Sequence, residues 1–366
     1  MVKATFRIFS LFILIIFLSS WGSVGHGIIN SKSSGFFPAS MVGFQIWSDS
    51  LATNSANADN RKDYDSGLPL DKKESYKHYI DIDDYSEFLS KGRIASTYDS
   101  IVAIHGSSNV IYDGTLPWAT MNMYDTLVVD FKKLRWHKAM LDASDLGHYV
   151  ADGHMPLHIT KNYDGQSTGQ TGIHSRYEGN SNMVGKNQIA LANYTGSPNS
   201  NYVSNVNKYI FNYIYSNYRY KDSVLLADSY AKNLTGSTSS SAYYTALWNK
   251  TQFTNTLFRN ASHALAELIY SAWVDAGSPP FAARTLTNTI NIPADNISVY
   301  PNPSSGSINV IGDNVSRTEV CTITGSKVAV FYNRVFDISY LPNGMYILSI
   351  YGREGLLKKE KILLAR

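Results

Sequence analysis

The sequence predicts a mainly α fold: an all-helical body followed by a small C-terminal β-sandwich. Three observations carry that expectation. First, apolar residues recur at helical spacing through the body; Val203, Val206, Tyr209, Ile210, Tyr213 and Ile214 share one face within 203–214. Second, Thr251 to Ala276 reads as one long helix that buries Leu257, Ala264, Leu265, Leu268 and Ile269. Gly277 and the Pro279–Pro280 pair stop it. Third, the character changes after Asn296. Ser307–Val310, Glu319–Ile323 and Met345–Tyr351 alternate or run apolar between Gly and Pro residues, as short strands do.

The elements follow in order. Residues 1–20 read as a signal peptide, with Lys3 and Arg7 ahead of an apolar run from Ile8 to Leu18. That run is shorter than the roughly 20 residues a bilayer span needs; an uncleaved anchor is the alternative. Residues 21–277 form the helical body, interrupted by Asn-, Ser- and Gly-rich loops at 162–172 and 195–201. Residues 278–296 read as a linker and 297–366 as the β domain. A chain of 366 residues with 44% hydrophobic and 17% charged residues has material for about two domains with real cores, which excludes a disordered chain. Without Lys3 and Arg7, 30 basic residues face 29 acidic ones, a net charge of +1. No large basic field exists to hold nucleic acid by charge alone. The single cysteine, Cys321, excludes intrachain disulfides and Cys-based metal sites, and reads as a small core residue of a strand. An exported chain without disulfides needs another staple, and metal ions are the obvious one.

The nine histidines carry the functional signal. His148 and Asp152 are four apart, so a helix puts them on one face. Pro156 ends or kinks that helix, which lets His158 turn back. His174 and Glu178 repeat the four-residue spacing. His78 and Asp59 lie upstream, and His26 stands just beyond the signal peptide in Trp21-Gly22-Ser23-Val24-Gly25-His26. Imidazole and carboxylate are the ligands zinc takes when thiolates are absent. No His-Glu-x-x-His segment occurs, so this is not a zincin protease. His105, His137 and His263 read as packing or surface groups, and His154 as a residue behind a ligand.

From Trp21 to Ala276 this set resembles the superfamily that joins bacterial zinc-dependent phospholipases C to the single-strand-specific zinc nucleases of fungi and plants, the S-one/P-one family. The resemblance implies an all-helical trinuclear-zinc domain. Asp59, His78, His148 and Asp152 would hold the first zinc, and His158, His174 and Glu178 the second. The third would take the free amine and carbonyl of a processed Trp21, with His26 and a bridging Asp152. Two zincs about 4 Å apart would bring a bridging water near neutral pKa, and the hydroxide would attack a phosphodiester. Catalytic roles would fall to Asp152 and, as an assisting base, Asp59. Arg61 and Lys62 would bind the phosphate, or stand as solvated cations. Tyr79 would line a lipid pocket or stack on a base, or belong to the core.

The resemblance implies phospholipid head groups or single-stranded nucleic acid as the substrate. Glu178 as closing ligand, the short step from His158 to His174 and the lack of disulfides resemble the phospholipases. The Trp21–His26 segment and the run Asp152-x-His154-x-Pro156-Leu157-His158 resemble the nucleases. The balance falls to a phospholipase C-like enzyme. A non-catalytic, zinc-stabilised surface binding module is the remaining reading. In the tail, Val299–Pro303, Leu341–Tyr346 and Lys358–Leu364 resemble the C-terminal sorting domain of the type IX secretion system. That implies a secreted or cell-surface protein whose tail is read by the secretion machinery; no stable protein partner is implied.

Overall fold

The computed structural model describes residues 21–281, 297–312, 315–323, 327–352 and 355–366. The expected signal peptide and residues 282–296 of the expected linker lie outside them. The chain divides between Phe281 and Ala282 into two compact units.

The first unit is helical. Its long members are Gly22–Ser33, Leu116–Lys132, Trp136–Asp152, Val206–Tyr218, Tyr220–Thr235 and Thr254–Asp275. The 203–214 periodicity marks a helix that starts three residues later, because the Asn205 side chain accepts the Lys208 N–H at 2.9 Å and caps it. Val203, still outside, gives its N–H to Ser271 Oγ at 2.8 Å. The Thr254–Asp275 helix buries all five residues expected of it, and Gly277 at φ 88° ends it.

Two apolar clusters among the described residues flank the end of the Trp136–Asp152 helix. One contains Trp21, Ile29, Ala151, Leu157, Ile173, Tyr177 and Phe258. The other contains Ala58, Ile80, Ile82, Tyr149, Ile159, Ile210 and Ile214. The end of the Trp136–Asp152 helix stands between them, Ala151 in one and Tyr149 in the other. All residues from Leu146 to Asp152 are therefore buried. Gly147 lets this happen: a Cβ there would meet Asn30 Oδ1 at 2.3 Å, so only glycine admits the Gly22–Ser33 helix so closely. Beyond Pro279–Pro280 the chain stays with the unit through Phe281. Its ring stacks on Phe44 at 4.2 Å and meets Trp136 edge-on at 5.2 Å.

The described residues of the second unit form seven strands: β1 (Ser298–Tyr300), β2 (Ser307–Ile311), β3 (Val315–Thr322), β4 (Lys327–Phe331), β5 (Val335–Asp337), β6 (Gly344–Gly352) and β7 (Gly355–Leu364). They form two antiparallel sheets, ordered β1-β2-β5 and β4-β3-β6-β7. Ile308, Val310 and Phe336 of the first share a core with Val320, Leu348, Ile350 and Ile362 of the second, as a sandwich requires. Cys321 departs from the core role expected of it. Val320 takes the core face, the register of β3 shifts between the two residues, and Cys321 is only half-buried.

Candidate metal centre

The Trp136–Asp152 helix supplies the middle of the site. One helical turn apart, His148 and Asp152 point the same way and are fully buried. The helix closes at Gly153, and the turn Pro156–His158 brings His158 back. The other donors arrive from separate elements: His26 from Gly22–Ser33, Asp59 from Asn57–Arg61, His78 just after Ser75–Lys77, and His174 with Glu178 from the short helix Ile173–Glu178. Tertiary folding gathers these eight side chains into three groups: His26, His148 and Asp152; Asp59, His78 and His148; His158, His174 and Glu178. Within each group the donor atoms lie within 4.8 Å of one another.

Asp152 links the groups. Its Oδ2 is 3.1 Å from His78 Nδ1 and 3.4 Å from His148 Nε2. Its Oδ1 is 3.2 Å from His158 Nδ1 and 3.5 Å from His26 Nε2. The rings are aimed by backbone carbonyls. His148 Nδ1 faces Ser55 O at 2.6 Å, and His158 Nδ1 faces His78 O at 2.9 Å. A carbonyl accepts only, so in the neutral ring each Nδ1 carries the proton and each Nε2 turns a lone pair inward. His148 Nε2 then meets His78 Nδ1 at 3.0 Å, and His158 Nε2 meets His174 Nε2 at 3.0 Å. His26 lies parallel on His148, ring centres 3.8 Å apart.

Several atoms in this centre are buried without a hydrogen bond: both nitrogens of His26, His78 Nε2, Asp152 Oδ1, His174 Nδ1 and both oxygens of Glu178. His174 Nε2 stands 2.7 Å from Glu178 Oε1, yet that oxygen has no hydrogen bond. Burying such groups unpaired costs several kcal/mol, about 1–3 for a neutral group and more for a carboxylate. Inward lone pairs and unpaired carboxylate oxygens are what a cation satisfies. This donor set of imidazole and carboxylate is compatible with zinc.

The charge states fit. Burial raises Asp152, but His148 and His158 beside it hold it well below the usual carboxylate range. Asp59 is likewise raised by burial and brought well below by His148, Lys62 and His78. Burial lowers His26 well below the ordinary imidazole value, and neighbouring His148 adds to it, leaving a neutral ring.

The remaining expected residues fall at the edge. Trp21 is fully buried; its indole Nε1 donates to Ala151 O at 2.7 Å, one residue before Asp152, and its carbonyl accepts Gly25 N–H at 3.1 Å. Lys62 Nζ lies 2.6 Å from Asp59 Oδ1. Arg61 donates to Asp145 Oδ2 at 2.8 Å and to Glu74 Oε1 at 3.4 Å, so its fork is engaged by protein carboxylates. Tyr79 donates to Tyr112 O at 3.0 Å. Its ring joins His78, Asp81, Leu157, His158, Tyr163 and His174 around a cavity of about 120 Å³.

Sequence reasoning missed Asp81, Tyr163 and Glu74. Asp81 lies three residues past His78, but nothing in its spacing marks it. In the fold, burial and the carboxylates of Asp83, Asp84 and Asp113 push it up to about 8. Glu74 is buried, accepts from Tyr149 and Lys77, and stands 3.6 Å from His78 Nε2. Its place four residues before His78 was the available signal. His154 donates Nδ1–H to Val150 O at 2.8 Å and stacks on Tyr213. His105 pairs with Glu87, and His263 lies 3.6 Å from Glu267.

Comparison with known proteins assigns the tail. Residues 298–364 match the family model of the secretion system C-terminal sorting domain. The chain therefore carries a type IX sorting domain and is a secreted or cell-surface protein. Among solved structures it is similar to the alpha toxin from Clostridium absonum, at 12% identity and a TM-score of 0.42, over 92% of this chain and 94% of that one. It is similar also to the Clostridium perfringens alpha-toxin isolated from an avian strain, at 10% identity and a TM-score of 0.42, over 94% and 96%. No curated protein matches the chain.

Proposed function

We propose that the helical unit is a secreted zinc-dependent phosphodiester hydrolase of the phospholipase C type. The observation that carries this reading is the gathering of eight imidazoles and carboxylates, seven of them buried, in which Asp152 faces four of the imidazoles and seven nitrogen and oxygen atoms lack a hydrogen bond. Three zinc ions are expected. Asp59, His78, His148 and Asp152 would hold one, and His158, His174 and Glu178 a second. His26, Asp152 and the amine and carbonyl of a processed Trp21 would hold the third. When bound, zinc supplies Lewis acidity that activates water and neutralises charge on phosphoryl oxygens.

The chain's own residues do the rest. His78, His158 and His174 form one side of the cavity of about 120 Å³, so a phosphodiester entering there meets the donor groups directly. Asp59, kept ionised beside Lys62, is the carboxylate proposed as assisting base. Leu157, Tyr79, Asp81 and Tyr163 line the rest of the cavity. The carboxylates behind Asp81 repel a strand of successive phosphates and suit a zwitterionic phospholipid head group. That local charge favours lipid over nucleic acid. The nuclease reading keeps one supporting observation, the two tyrosine rings on which bases could stack.

The test is a paired assay on zinc-loaded mature protein beginning at Trp21. One arm uses phosphatidylcholine vesicles, the other single-stranded DNA and RNA, each with and without a zinc chelator. Chelator-sensitive release of diacylglycerol alone is expected. Nucleotide release would assign the enzyme to the nucleases. Silence in both arms with zinc bound would leave a binding module.

A further inference from the structure

We propose that Arg176, clamped to Asp228, is a positioning residue that sets the geometry of the His158–His174–Glu178 group. The inference rests on the reading that this group holds a metal ion.

The starting point is a weakness. Two of the three donors sit on a helix of six residues, Ile173–Glu178, and a helix so short does not hold its own shape or place. Nor are the donors aimed by partners of their own. His174 Nδ1 and both Glu178 oxygens are buried without a hydrogen bond. Metal ligands are normally oriented by an outer partner on each. Here the orientation must come from the placement of the whole helix.

Arg176 lies between the two donors in sequence, about 200° around the helix from each. It reaches away from them and binds three other pieces of the fold. Its Nε and Nη2 donate to Asp228 Oδ1 at 3.2 and 2.9 Å. Its Nε also donates to Tyr243 Oη at 3.0 Å. Its Nη1 and Nη2 donate to the carbonyls of Thr171 and Gln170 at 2.9 and 3.0 Å. The guanidinium thus ties the short helix to the loop before it, to Tyr220–Thr235 through Asp228, and to Ser241–Lys250 through Tyr243.

Asp228 is fully buried and completely used. Tyr243 donates to its Oδ1, and Gln170 Nε2 donates to its Oδ2 at 2.8 Å. At the front of the helix Asp164 accepts from Gly172 N at 2.8 Å and His174 N at 3.3 Å. The clamp therefore fixes both translation and rotation of the element that presents His174 and Glu178. A buried pair adding stability alone would not need acceptors spread over three elements, and an apolar replacement would serve it as well.

The experiment measures zinc affinity in the full chain by competition with a chromophoric chelator, ion by ion. His174→Ala identifies the ion to follow, because it deletes a donor of that group only. Arg176→Lys keeps the charge and loses the fork. Tyr243→Phe keeps the ring and loses the hydroxyl. The expected result is that the ion lost in His174→Ala is held about ten-fold or more weakly in both clamp variants. The other ions keep wild-type affinity, and far-ultraviolet circular dichroism is unchanged. If Arg176→Lys does not fold, Tyr243→Phe alone decides. If His174→Ala loses one ion but the clamp variants hold it normally, or lose all ions in parallel, the positioning role is overturned and the metal reading stands. If His174→Ala changes neither zinc count nor affinity, the metal reading of this group falls, and the clamp proposal with it.

Discussion

Each oxygen of Asp152 faces a different set of imidazoles, so a change at this one residue reaches more than one group. Asp152→Asn keeps the shape but replaces one oxygen by an amide that cannot bind a cation. Two zinc sites are expected to weaken together, read as zinc content after dialysis. Wild-type content would refute the bridging role. The His148–Asp152 pairing was legible because four residues make one helical turn. The contact of Asp152 with His26 was legible only through the family resemblance, because it joins residues far apart in sequence. The same holds for Arg61: its Asp145 partner lies 84 residues away, so sequence spacing showed a cation and not its occupation.

Among the elements, the Trp136–Asp152 helix bears the most constraint. Gly147→Ala would set a methyl 2.3 Å from Asn30 Oδ1 and 2.7 Å from Leu265 Cδ2. Asn30 cannot retreat, since its Nδ2 donates to Ser144 O and Leu51 O. A loss of about 1–3 kcal/mol is expected, seen as a lower unfolding midpoint in urea. An unchanged midpoint would show that the two helices can separate at no cost.

The start of the same helix carries a pH effect. Burial and the Asp130 carboxylate push Asp142 up to about 7, although Lys138 opposes them. Native Asp142 therefore holds a proton that the unfolded chain has already lost above about pH 4. Its contribution falls as pH rises from there through about 7. Asp142→Asn removes that loss, so its Tm relative to wild type should be higher at pH 8 than at pH 5. Equal differences at the two pH values would count against the shift. The helices themselves were readable from period and caps; the one- and two-turn pieces that carry Asp59, His78 and His158 were not. Such short segments have no periodicity, and packing alone places them.

At the scale of the molecule, the two units have separate cores and separate tasks. Zinc stabilises whatever holds it by mass action, about 2.7 kcal/mol per site at a hundredfold excess over Kd. Chelation should lower the unfolding temperature of the helical unit by several degrees and leave the transition of the sorting domain where it was. A calorimetric scan with and without chelator reads both. A parallel shift of both transitions would argue against metal confined to the helical unit.

The sequence by itself determined what is local. It established the helical body, the strands of the tail, the sorting segments and the i,i+4 donor pairs, because each follows from backbone periodicity or a short motif. The tertiary structure alone decided what is distant. It brought His26 against His148, set His158 against Asp152, engaged Arg61 with carboxylates, and added Asp81 and Tyr163 to the cavity. Those arrangements depend on which apolar faces bury against one another, and that information is spread over the whole chain.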